Sequence, residues 1–175
     1  DVAPSRGLGD VYKRQEIHSE DVFKRMEKDG IMVMTSQPST GSLQEAVQKI
    51  KEQGYSHIIG LPIATGLSST MNGMKLACDM LEMPVTLVDT KGTASNQKYL
   101  VEVAAKLAGE GKSPEEIKEI LEKLVEDSAT IIMVPNLEHL KKGGRITPAV
   151  ATLAGLLKIA VSYTHLRAHE TELHL

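Results

Sequence analysis

The apolar positions of this chain follow two periods. Short, mainly apolar runs at 58–61, 85–88 and 130–134 have the length and β-branched content of buried strands. Between them, apolar residues return every three or four positions, as on the inward face of a helix. Val22, Phe23 and Met26 mark a helix from Ser19 to Lys28, with Gly30 after it. Leu43, Ala46, Val47 and Ile50 mark a second, from Leu43 to Gln53, which Gly54 stops. A third follows the first strand and reaches about Leu81, and a fourth runs from Ser95 to Ala108 before Gly109 and Gly111. Ser113-Pro114-Glu115-Glu116 combines a cap, a first-turn proline and a glutamate three residues past the cap, so a helix starts there. Its inward face is Ile117, Ile120, Leu121 and Leu124. A short helix over 136–140 and an apolar one over 149–157, opened by Thr147-Pro148, complete the pattern. The apolar segment 31–34 is too short to assign.

Strands alternating with helices predict an α/β fold, a mostly parallel sheet flanked by helices, with a site at the carboxyl ends of its strands. The segments Thr65–Thr70 and Asp89–Thr90 each follow a strand and are expected on that one edge.

Composition narrows the picture modestly. The 175 residues form one domain, with or without tails, at 41% hydrophobic and 25% charged residues. The net charge of −3 gives no reason to expect nucleic acid or an anionic membrane as partner. No apolar run is long enough to span a bilayer, so stable membrane insertion is not expected. A single cysteine, Cys78, forms no internal disulfide and suits a reducing, cytoplasmic compartment. With 3% aromatic residues and 8 methionines, the interior must be aliphatic and adaptable. Such an interior suits an alkyl chain or a plain core equally.

The central stretch is His57–Thr70, HIIGLPIATGLSST. It reads as strand, small-residue loop and helix entrance. A helix start leaves N–H groups unpaired and carries partial positive charge, so a carboxylate or phosphate finds donors there, and Gly66 allows close approach. Taken alone, the stretch is read more simply as Ser68 or Ser69 capping a helix. A second hydroxyl cluster, Thr35-Ser36-Gln37-Pro38-Ser39-Thr40, strengthens the ligand reading.

The chain ends differ in character from its body. Residues 1–15 show neither helical nor strand periodicity, and 160–175 hold three of the six histidines. Both are expected to be non-native tails of adapter or vector type around a body of 16–159. His165 and His169 have helical i, i+4 spacing, but with His174 they lack a fourth ligand, and no metal site is assigned.

Four stretches, in order, resemble the DegV family of bacterial fatty-acid-binding proteins: TSQPS at 35–39, TGLSST at 65–70, LVDT at 87–90 and LEHLKKGGRI at 137–146. The last is the most specific. The resemblance implies a long-chain fatty acid as ligand, its alkyl chain buried and its carboxylate held by hydroxyls. It implies no catalysis and no cofactor. A separate fatty-acid kinase would phosphorylate the bound lipid, and the acyl phosphate would enter phospholipid synthesis. By resemblance Thr35 and Ser68 hold the carboxylate, with Ser36, Ser69 and Thr70 as further candidates. Lys141, Lys142 and Arg145 form a basic turn that either faces the kinase and its phosphates or simply suits a helix C-terminus.

The chain departs from the family pattern in places. Ser69 stands where the family usually has glycine, and a serine would resist a positive φ. Ala64-Thr65 replaces a usual serine pair. The family's first strand and its C-terminal portion are not recognisable, so an internal fragment with an incomplete second subdomain is expected. The competing reading is a doubly wound small-molecule enzyme that binds a phosphate or carboxylate at Thr65–Thr70. It lacks a nearby general base, a GxGxxG fingerprint and a P-loop. Asp89 is the one acid at a strand end, and such a residue more commonly caps the following turn.

Overall fold

The structure, a computed structural model, describes residues 2–4, 18–29, 33–133, 138–146 and 162–163. The chain divides into two compact units, 1–38 and 39–175.

In the first unit, β1 (Val2–Pro4) pairs antiparallel with β2 (Val33–Thr35), setting Val2 opposite Thr35. Strand β1 lies in the segment that shows no periodicity, because three residues are too few to display a period of two. Helix α1 (Ser19–Asp29) carries Glu20 and Asp21 in its first turn and Lys28 in its last, as the helix dipole favours. Val22 and Met26 are half-buried, but Phe23, expected on the same inward face, is 62% exposed. One position on from Val22 turns a side chain by about 100°, which takes Phe23 off the Val22–Met26 line.

The second unit is built on β3 (Ile58–Gly60) and β4 (Val85–Leu87), a parallel pair in the register Ile58 to Val85 and Gly60 to Leu87. Alternate side chains go to opposite faces. Ile58 and Val85 pack with Val47, Ala77, Cys78 and Met83, the cluster under α2 (Thr40–Glu52) and α3 (Thr70–Met80). Ile59, Leu61 and Val88 pack with Leu100, Ile117, Leu121 and Val125, the cluster under α4 (Ala94–Gly109) and α5 (Pro114–Glu126). The result is helix, sheet, helix: a mixed α/β fold with helices on both faces of a small parallel sheet.

At Gly60 the side-chain ends of Met74 and Leu87 occupy the space a Cβ would take. A Cβ there would lie 2.7 Å from the Met74 side chain and 2.5 Å from that of Leu87. Helix α2 begins earlier than its apolar face alone predicts, because Ser39 caps it by accepting from the Ser42 N–H at 3.2 Å. Cys78 is buried, and burial first, then neighbouring Asp79, pushes its thiol pKa up. Gly111, at φ +81°, follows α4, and α5 then opens with the expected capping box.

Beyond α5, β5 (Ile132–Met133) pairs antiparallel with β6 (Ser162–Tyr163), and α6 (Glu138–Lys142) lies between them in sequence. The parallel pairing therefore belongs to the centre of the chain, and both antiparallel pairs draw a strand from its flanks. The helix expected over 149–157, Gly30 and the three tail histidines fall outside the described residues. No described helix is long and apolar enough to cross a membrane.

Candidate functional site

Two loops leave the carboxyl ends of β3 and β4. The first runs from Leu61 to Ser69 into α3, and the second from Val88 to Thr93 into α4. Their inner parts are sewn together. The Ala64 N–H donates to the Gly92 carbonyl at 2.9 Å, and the Thr90 hydroxyl donates to the Pro62 carbonyl at 2.8 Å. Ala64 and Thr90 are both completely buried. A buried hydroxyl needs such a partner, and here the partner lies on the opposite loop.

Asp89 joins the loops at the rim. Its Oδ1 accepts from the Thr65 N–H at 3.2 Å and the Lys91 N–H at 3.0 Å, and its Oδ2 accepts from the Thr65 hydroxyl at 2.5 Å. The Lys91 bond is the turn-capping role expected of a strand-end aspartate. The two bonds to Thr65 were not foreseeable from spacing. They engage both carboxylate oxygens in holding the loop. Lys91 in the second loop and Ala94, the first residue of α4, adopt φ of 44° and 51°, values that cost a non-glycine residue on the order of 1 kcal/mol or more.

After Thr65 the first loop makes a single turn, with the N–H groups of Leu67 and Ser68 returning to the Ala64 carbonyl at 2.9 and 3.2 Å. The turn delivers Ser68, Ser69 and Thr70 to the start of α3. Ser69 occupies the cap position at φ −80° and makes no side-chain capping bond. It needs no glycine, since its φ is negative. The Ser68 and Thr70 hydroxyls lie 2.7 Å apart, and Ser68 Oγ accepts from the Thr70 N–H at 3.3 Å. Two hydroxyls sharing one bond leave one proton free to donate outward, and Ser69 adds another. Among the described residues, the N–H groups of Met71 and Asn72 meet no acceptor. The helix start thus offers hydroxyl and backbone donors together, a combination suited to a carboxylate or phosphate.

The basic turn divides. Lys141 and Lys142 are exposed in the last turn of α6. Arg145 is half-buried and turned inward, its Nε donating to the Leu67 carbonyl at 3.4 Å and its Nη1 to the Gly143 carbonyl at 2.6 Å. It reaches the first loop across 78 positions of sequence. Thr35 ends β2 in the first unit and Ser36 follows it, and both are exposed. Among the described residues, no group of three or more His, Cys, Asp and Glu is placed to hold a metal ion.

The second unit therefore brings Arg145 to the loop that holds Thr65, Ser68, Ser69 and Thr70, and bonds that loop to Asp89 and Thr90, contacts that spacing alone did not give. Asp89-Thr90 was expected on the same edge, and that was the available signal.

Comparison with known proteins agrees with this architecture. The family described as "Uncharacterised protein, DegV family" matches residues 7–172. A DegV domain-containing protein of Listeria monocytogenes is 35% identical over 153 residues, which is 86% of this chain and 54% of that protein. The solved DegV family protein of Thermus thermophilus, described by its fatty acid binding, superposes with a TM-score of 0.78 at 30% identity, covering 94% of this chain and 58% of that one. A fatty acid binding DegV family protein from Streptococcus agalactiae gives 0.76 at 27%, over 86% and 53%. The chain spans about half the length of the relatives it matches. With the family match running through nearly the whole sequence, and the α/β fold and strand-end loops alongside it, this chain belongs to the DegV family.

Proposed function

We propose that this chain binds a long-chain fatty acid, with the carboxylate at the start of α3 held by Ser68, Ser69 and Thr70. The observation that carries the proposal is the incompletely satisfied helix start, where side-chain and backbone donors are gathered at a strand edge. The fatty acid binding of the Thermus thermophilus and Streptococcus agalactiae relatives gives that donor set its ligand class. Each charge-assisted bond is worth roughly 1.5–3 kcal/mol. Burial of the alkyl chain would add about 0.8 kcal/mol per methylene, less the cost of ordering the lipid.

Thr35 and Ser36 are proposed as further donors on the resemblance of their stretch alone. The role is that of a cytoplasmic carrier, not a catalyst: the bound lipid is presented to a separate fatty-acid kinase, and its acyl phosphate enters phospholipid synthesis. Lys141, Lys142 and Arg145 would meet the kinase or its nucleotide phosphates. No cofactor is needed for binding. Asp89 does not favour the enzyme alternative, since its carboxylate already accepts from Thr65 and Lys91.

Calorimetric titration with oleate tests the site. Ser68→Ala and Thr35→Ala should each weaken binding about tenfold or more while circular dichroism stays unchanged. Unchanged affinity in both would move the carboxylate elsewhere.

A further inference from the structure

The bonds that join the two strand-end loops fall into two sets. Ala64 to Gly92 and Thr90 to Pro62 are made by completely buried residues and belong to the interior. Asp89 to Thr65 lies outside them: Asp89 is half-buried and Thr65 exposed. Neither residue belongs to a hydrophobic cluster of the unit. Thr65 also starts the one turn that ends at the ligand hydroxyls, since Leu67 and Ser68 both return to Ala64. The turn is thus anchored at one end by Asp89 and at the other by α3.

The geometry points to Asp89 as a positioning residue that, through Thr65, fixes where Ser68, Ser69 and Thr70 present their donors to a carboxylate ligand. This rests on the fatty-acid reading above and names a residue outside the proposed donor set. The carboxylate suits the task because each oxygen accepts from Thr65, and one also serves Lys91. An asparagine could keep the arrangement without charge. Its oxygen would accept from both N–H groups, and its amide would donate to the Thr65 hydroxyl. An alanine could not. Position and charge are therefore separable by substitution.

The test is oleate affinity across Asp89→Ala, Asp89→Asn, Thr65→Val and Thr65→Ser, with a melting curve for each and amide resonances recorded without ligand. Asp89→Ala and Thr65→Val should bind about tenfold more weakly, and the double variant no more weakly than the poorer single one. Asp89→Asn and Thr65→Ser should recover most of the affinity. The Ser68–Thr70 amides should shift in Asp89→Ala while that of Glu116 stays in place. The inference is overturned by wild-type affinity in both disruptive variants, or by losses that only track the melting temperature with no recovery in the conservative pair. A wild-type chain that fails to bind oleate counts against the fatty-acid reading instead. The amide shifts then decide separately whether Asp89 positions the turn.

Discussion

Three helices of the second unit begin with a serine at the cap position, and two of them, α5 and α3, begin differently. At α5, Ser113 Oγ accepts from the Glu116 N–H at 3.2 Å, and Glu116 returns the bond by accepting from the Ser113 N–H at 2.8 Å. Pro114 removes one further donor at no cost. That start pairs its cap and its third residue with each other. At α3, Ser69 makes no capping bond, and the hydroxyls beside it bond to each other. The first end carries a reciprocal cap, and the second carries hydroxyls that do not cap its helix in that way. On the function proposed above, the hydroxyls and open amides at α3 are there for a ligand.

The comparison can be broken by substitution. The largest effect lies beneath both starts, in the core. Leu121 is completely buried with Ile117, Leu100 and Val88, so Leu121→Ala should cost about 2–5 kcal/mol in urea unfolding. Fatty-acid affinity measured well below the transition should change little. A much smaller loss would mean that the α4–α5 layer is not the core described above.

The serines themselves should separate. Ser113→Ala should cost about 1 kcal/mol of stability and leave oleate affinity alone. Ser69→Ala should leave stability nearly unchanged, because the hydroxyl caps nothing. Matching stability losses at the two sites would erase the distinction between them.

The smallest effect is one of pH. The Ser113 backbone N–H first, then Lys112, holds the Glu116 carboxyl below the usual carboxylate range. Its folded pKa therefore lies below its unfolded one, and the stability it contributes is present above the unfolded pKa and lost as pH falls through the folded value. Melting curves of wild type and Glu116→Gln should differ near pH 7, with wild type the higher, and the gap should narrow as pH falls through the folded pKa. A gap that widens on acidification would contradict the capping-box assignment.

The same contrast explains what could be read from sequence. The α5 start is written within four residues, and Ser39 capping α2 is equally local. The parallel pair and the helices on its faces follow from periodicity. The α3 site was legible as residue types at a helix entrance, but not as an arrangement. Its shape depends on Asp89 holding Thr65 across 24 positions and Arg145 meeting Leu67 across 78, which no local pattern encodes. Strands β1 and β6 escaped because each is too short to show alternation. Phe23 misled because an apolar residue next to an inward line need not lie on it.

The central claim is that the open start of α3 serves a fatty-acid carboxylate. Native mass spectrometry of the purified chain, before and after organic extraction, tests it most directly. A mass increment matching a long-chain fatty acid, lost on extraction, regained with added oleate and diminished in Ser68→Ala, is the predicted result. A folded chain that carries no increment and takes up neither oleate nor palmitate would contradict it.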